Sequence, residues 1–100
     1  MSQYHAMTRE EYAEHMARRL AKWEDDINHL RDRTEAHDNA EVKAEWKAHL
    51  AELEHHHAAA RARYDRAARD DTGAQDEIRR GFERAGDEIA RIWSRVAAKL

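Results

Sequence analysis

Large apolar side chains are scarce in this 100-residue chain, but they recur at alternating intervals of three and four residues. Such intervals place side chains on one face of an α-helix, which then packs against another helix. No stretch alternates apolar and polar residues with a period of two, as a half-buried strand would. The spacing therefore predicts an all-α fold, either an antiparallel coiled coil of long helices or a three-helix bundle. The three apolar stripes run through Met16, Leu20, Trp23, Ile27, Leu30 and Thr34, then Trp46, Leu50, Leu53, His57, Ala60, Tyr64 and Ala67, then Ile78, Phe82, Ala85, Ile89, Ile92 and Val96.

Capping signals divide the chain into helices near 9–37, 40–69 and 74–98. Thr8 and Glu11 have the spacing of a capping box, in which the hydroxyl and the carboxylate each accept a free backbone amide. The segment 38–41 has the same pattern with Asp38 as the capping residue. Thr72 precedes Gly73 at the clearest break and can cap the last helix. We expect a single helical domain over 8–100, preceded by a flexible arm over 1–7.

The break near 38–39 admits a second interpretation. If the stripe of the first segment continued without a break, it would reach positions 48 and 51, but the large residues are Leu50 and Leu53. A shift of two residues fits a turn between two helices. It also fits one helix of about 60 residues with a discontinuity in its register. We favour the turn.

Composition excludes several classes of protein. The chain has no cysteine, so disulfide scaffolds, cysteine-based zinc sites and thiol catalysis are ruled out. Serine occurs only at Ser2 and Ser94, and there is no glycine-rich phosphate loop. No apolar run approaches the length of about 18 residues that a membrane span needs. We expect a protein without enzymatic activity, and the absence of a leader sequence predicts a cytoplasmic location.

The eight histidines raise the question of a metal site. No two of them are three or four residues apart, the spacing that two helical ligands need. Mixed pairs fit better, because Glu52 and His56 are four apart and His57 lies on the second stripe. Glu52, His56 and His57 are therefore the candidate ligands for a divalent metal. Adventitious binding of metal by the run of histidines at 55–57 is the competing interpretation.

Histidine also predicts sensitivity to acid. The net charge is −3 with histidine neutral, and protonation of all eight histidines would reverse its sign. A protonated His57 on a packed stripe would lose hydration. We expect mild acid to loosen the helix packing or to change the oligomeric state.

Two surfaces indicate possible partners. Arg61, Arg63, Arg66 and Arg69 form a basic patch with Asp65 as its only acid, but the patch is short and the chain is acidic, which argues against nucleic-acid binding. The amphipathic segment 76–100 can lie on an anionic membrane surface. We favour helix packing for it, since acidic residues share its polar face.

The thin stripes predict that the chain forms a homo-oligomer or binds a protein partner through coiled-coil contacts. Ten large residues are the expected packing and interface positions. They are Trp23, Ile27, Leu30, Trp46, Leu50, Leu53, Phe82, Ile89, Ile92 and Trp93.

The first and last segments resemble a family of small bacterial coiled-coil stress-response proteins. Tyr12 with the run from Leu20 to Leu30 is similar to the family's Y…L-x-x-W-x-x-x-I-x-x-L, and Ile78, Gly81, Ala85, Ile89 and Trp93 match its last segment. The middle of the chain matches in composition only. The family's two tryptophans fall on Gln75 and Gly86 here, and the histidines are particular to this chain. The resemblance implies a helical, cytoplasmic, non-enzymatic protein linked to stress, and it assigns no functional residues.

Overall fold

A computed structural model of the chain describes residues 8–69 and 75–98. Three α-helices make up these two ranges: α1 (Arg9–Ala36), α2 (Ala40–Arg69) and α3 (Gln75–Ala97). No strand occurs in the described residues, so the predicted all-α fold is confirmed as a three-helix bundle. The arm at 1–7 and the predicted cap at Thr72 lie outside the described residues.

The first helix begins where the sequence predicts. The Thr8 hydroxyl accepts a hydrogen bond from the Glu11 backbone N–H at 3.1 Å, and a Glu11 carboxylate oxygen accepts one from the Thr8 N–H at 3.3 Å. This reciprocal pair satisfies two of the amides that a helix leaves free at its first turn. The capping box is confirmed.

The chain turns between α1 and α2, so the alternative of one long helix is wrong. The predicted cap at Asp38 is also wrong, because the capping residue is its neighbour. The Asn39 side-chain oxygen accepts from the backbone N–H groups of Glu41 at 2.9 Å and Val42 at 3.1 Å. Asn39 is favoured because its side chain lies one residue before the first helical position, where both amides are within reach.

The three stripes meet in one core. Nine of the ten expected packing residues are buried, and only Trp93 is half-buried, at the edge of the core. Tyr12, four residues before Met16, extends the first stripe by one turn and is 1% exposed, although it was not among the expected packing residues. Each stripe is covered by the other two helices of the same chain, so burial of these residues does not require a second copy.

Contacts between the helices establish an up-down-up arrangement. Arg31 pairs with Glu54, while the earlier Leu20 meets the later His57, so α1 and α2 are antiparallel. α1 and α3 are parallel, because Tyr12 contacts Glu83 and Leu30 shares a cleft with Trp93. The bundle measures 49 × 27 × 17 Å.

Candidate functional site: a polar cluster between the first and third helices

Long side chains fill the space between α1 and α3, and Glu83 is their common partner. Its Oε1 accepts a hydrogen bond from the Tyr12 hydroxyl at 2.9 Å, and its Oε2 accepts one from Arg19 Nη1 at 3.0 Å. His15 Nε2 lies 3.8 Å from Oε1. Since Tyr12, His15 and Arg19 are spaced three and four residues apart, they share one face of α1. Of the three pairs of helices, α1 and α3 have the fewest close backbone contacts. The cluster joins these two helices through their side chains.

Arg19 is held by stacking as well as by charge. Its guanidinium lies 4.7 Å from the centre of the Trp23 ring and 5.6 Å from that of Phe82. Gly86 gives it room, because a Cβ there would lie 2.5 Å from Arg19 Nη2 and 3.2 Å from Trp23 Cζ2. Arg19 and Trp23 of α1 therefore fill the space beside Gly86.

The cluster changes the acidity of His15. Burial lowers the pKa of its imidazole below the ordinary value of 6.5, and the nearby Arg19 and Arg18 lower that pKa further, against an opposing effect of Glu83. Both kinds of effect disfavour the imidazolium ion, which would lose hydration and meet positive charge. His15 is therefore predominantly neutral at pH 7.

A surface cleft of about 540 Å³ adjoins the cluster. Arg79 borders it and stacks on the Tyr12 ring at 4.6 Å. Cations and carboxylates alternate along the rest of the cleft on the outside of α3. An arrangement of both signs holds long side chains in place, and it offers no concentration of charge for a small ion. The remaining residues that line the cleft are Asp76, Arg80, Glu83, Arg84 and Asp87.

The candidate metal ligands on α2 lie in different surroundings. Glu52 is exposed, while His56 and His57 are half-buried. His57 Nε2 donates to the backbone carbonyl oxygen of Leu20 at 3.1 Å, so that His57 joins α2 to α1. Within residues 8–69 and 75–98, no group of three or more histidine and acidic side chains is arranged to hold a metal ion. The metal site stays a prediction from the sequence.

The two predicted partner surfaces have different degrees of exposure. Arg61, Arg63, Arg66 and Arg69 are all exposed on α2. By contrast, six apolar residues of α3 are buried in the bundle core and Trp93 is half-buried at its edge. The six are Ile78, Phe82, Ala85, Ile89, Ile92 and Val96. Among the described helices, none has a stretch long and apolar enough to cross a membrane.

Comparison with family models, curated proteins and solved structures finds no match to this chain. The resemblance to the stress-response family therefore stays a prediction. What the chain does has to be argued from its own surfaces.

The Glu83 cluster was not predicted from the sequence. Its α1 half could have been recognised, because Tyr12, His15 and Arg19 follow the helical spacing on the side of the apolar stripe. The partner was not identifiable, since Glu83 is one of 21 acidic residues and only the parallel placement of α1 and α3 selects it.

Proposed function

We infer that this chain is a non-enzymatic helical protein that acts by association, with further copies of itself or with another protein. One observation carries the proposal: within residues 8–69 and 75–98, the apolar stripes are buried in a single chain, and most of the exposed residues are charged or alanine. A protein built in this way binds through complementary charge and shape on the outside of its helices. The Glu83 cluster supports this role by fixing α3 against α1.

Burial of the stripes within one chain changes the reason for expecting association. The sequence suggested that thin stripes need a second chain to cover them, but the bundle covers them itself. Association must then use the exposed faces, and contacts between exposed charges weaken as salt is added. We therefore propose contacts that are weak and depend on ionic strength.

The peripheral membrane alternative receives no support from the third helix. Ile78, Phe82 and Ile89, which would enter a lipid surface, are at most 1% exposed. Binding to a membrane through α3 would first require the bundle to open. Anionic vesicles are expected to leave the tryptophan emission of the protein unchanged.

Sedimentation velocity over a range of protein and salt concentrations tests the proposal. We expect the average sedimentation coefficient to rise with protein concentration at low salt and to return to the monomer value at high salt. The same runs with and without Zn²⁺ test the metal alternative, for which a metal-dependent shift is the signature. A monomer at every concentration and ionic strength would contradict self-association.

The resemblance to bacterial stress-response proteins supplies the physiological part of the proposal, a role in the cytoplasm of a stressed cell. A rise in the amount of the protein under stress would support that part. An amount that stays constant across stresses would remove it and leave the proposed association unaffected.

A further inference from the structure

The side of α2 that faces away from α1 and α3 differs from the rest of the surface. Eight exposed alanines lie on α2, whereas the exposed residues of α1 and α3 are mostly charged. Because a helix has 3.6 residues per turn, positions spaced by three, four or seven fall along one line. The line of alanines and the charged residues beside it are called the α2 outer face below. Its alanines are Ala44, Ala48, Ala51, Ala58 and Ala62.

Charge is sorted along this face. The first half of α2 contributes the exposed acids Glu41 and Glu52, and the second half contributes the exposed bases Arg63, Arg66 and Arg69. A face with a negative half and a positive half is complementary to a copy of itself that runs in the opposite direction. A parallel copy would instead place like charges opposite each other at both ends.

The two residues that depart from this sorting support the same arrangement. Lys47 is exposed in the acidic half and Asp65 in the basic half, and both lie along the edge of the face opposite to Glu52 and Arg63. In an antiparallel pair centred near His55, Lys47 of one copy comes close to Asp65 of the other. The same register brings Glu41 close to Arg69. An antiparallel pair of identical helices has a two-fold axis, so each of these contacts occurs twice.

We propose that the α2 outer face docks against the α2 outer face of a second copy, with the two helices antiparallel. This inference rests on the proposed function and names its partner. The sorted charges are the main argument for this antiparallel dimer, and the alanines allow the two backbones to approach closely. A nucleic acid or an anionic lipid surface would match only the basic half and would be repelled by Glu41 and Glu52.

The size of the face indicates a weak dimer. α2 has 30 residues and is about 45 Å long. A strip of that length and about 10 Å wide on each copy buries on the order of 900 Å² in total, below the range of stable complexes. Most of the attraction is between exposed charges, so the dimer should dissociate as salt is raised.

Reversal of charge in each half of the face gives a direct test. One variant carries Arg66→Glu and Arg69→Glu, and the other carries Glu41→Lys and Glu52→Lys. Each alone should weaken dimerisation at low salt by about tenfold or more, because like charges then face each other. An equimolar mixture of the two should form a heterodimer about as tight as the wild-type dimer, since every pair is again of opposite sign. Sedimentation equilibrium gives the dissociation constants, and circular dichroism checks that each variant is folded.

Matched controls change the same amount of charge on other helices. Arg91→Glu with Arg95→Glu on α3, and Glu24→Lys with Asp32→Lys on α1, alter exposed residues outside the α2 outer face. These variants should dimerise within a few fold of wild type. Ala51→Gln adds bulk without charge at the line of alanines, and it should weaken the dimer as well.

The outcomes separate the docking surface from the proposed function. If wild type associates but the α2 reversals behave like the controls, the docking surface is wrong and the proposed function stands. If the mixture of reversed variants stays monomeric while wild type dimerises, the antiparallel arrangement is wrong. A wild type that is monomeric at every salt concentration contradicts both this inference and self-association.

Discussion

At the scale of single residues, His15 makes stability depend on pH. Its pKa is lowered below 6.5 in the folded protein, first by burial and then by Arg19 and Arg18. At a pH between the pKa of His15 in the folded protein and its pKa in the unfolded chain, the unfolded chain binds more protons at this position. The free energy of unfolding therefore falls as the pH decreases below about 6.5. The His15 contribution to stability is fully present above that pH.

Urea denaturation at pH 7.5 and pH 5.5 measures this effect. Wild type should lose stability at the lower pH, and His15→Gln should lose less, because glutamine does not titrate. If both proteins lose the same amount, the acid sensitivity comes from other groups. Acid sensitivity was expected from His57 on the basis of the sequence, and His15 is a second source that the structure identifies.

Two helical glycines allow a comparison at matched positions. A Cβ at Gly81 would lie 2.5 Å from Arg63 Nε, but Arg63 is exposed and its flexible end can move away. Gly81→Ala should therefore stabilise the protein by about 0.5–1 kcal/mol through helix propensity. Thermal unfolding monitored by circular dichroism shows whether the substitution raises or lowers the stability of the protein.

Gly86→Ala should have the opposite sign. The added Cβ meets Trp23 and Arg19, and Arg19 is fixed by Glu83, so the gain in helix propensity is exceeded by a crowding cost of about 1–3 kcal/mol. The same thermal unfolding experiment compares the two alanine variants directly. Equal stabilisation by both would mean that the contact of Arg19 with α3 carries no weight.

At the scale of helices, the start of α2 depends on one side chain. Asn39→Ala removes the acceptor for two backbone amides and should cost about 1 kcal/mol. Asp38→Ala is the matched control, because its neighbour makes the cap. Denaturant unfolding measures the free energy of unfolding of each variant and so shows which residue caps α2. A larger loss of stability for Asp38→Ala than for Asn39→Ala would contradict the observed cap.

The helices were predictable because their signals are local. The capping box at Thr8 and the three apolar stripes are patterns within one turn or a few turns of a helix, and these gave the elements and nearly all of the core. Asp38 was chosen over Asn39 because both residue types cap helices and the spacing to Glu41 favoured the first. Contacts between helices, such as that of Tyr12 with Glu83, depend on which helices become neighbours, and nothing local encodes that.

At the scale of the whole molecule, one chain buries its own apolar residues and leaves its charges to act on the outside. The hydrogen bond from His57 to Leu20 and the cluster at Glu83 connect α1 to each of its neighbours. In the described part of the chain, the α2 outer face lies away from α1 and α3, and it is the surface on which we propose that a second copy docks. This division of roles depends on the turn at residues 37–39, because without it α1 and α2 could not cover each other.

A distance between α1 and α2 tests this claim most directly. Arg31 and Glu54, which form an ion pair across the two helices, are 23 residues apart in the chain. The chain has no cysteine, so Arg31→Cys with Glu54→Cys gives two unique positions for spin labels. The labelled protein is measured by pulsed electron–electron double resonance, diluted in an excess of unlabelled protein so that only distances within one chain contribute. The bundle predicts a label-to-label distance below about 20 Å, whereas a continuous helix would place the two backbones about 35 Å apart and contradict the fold.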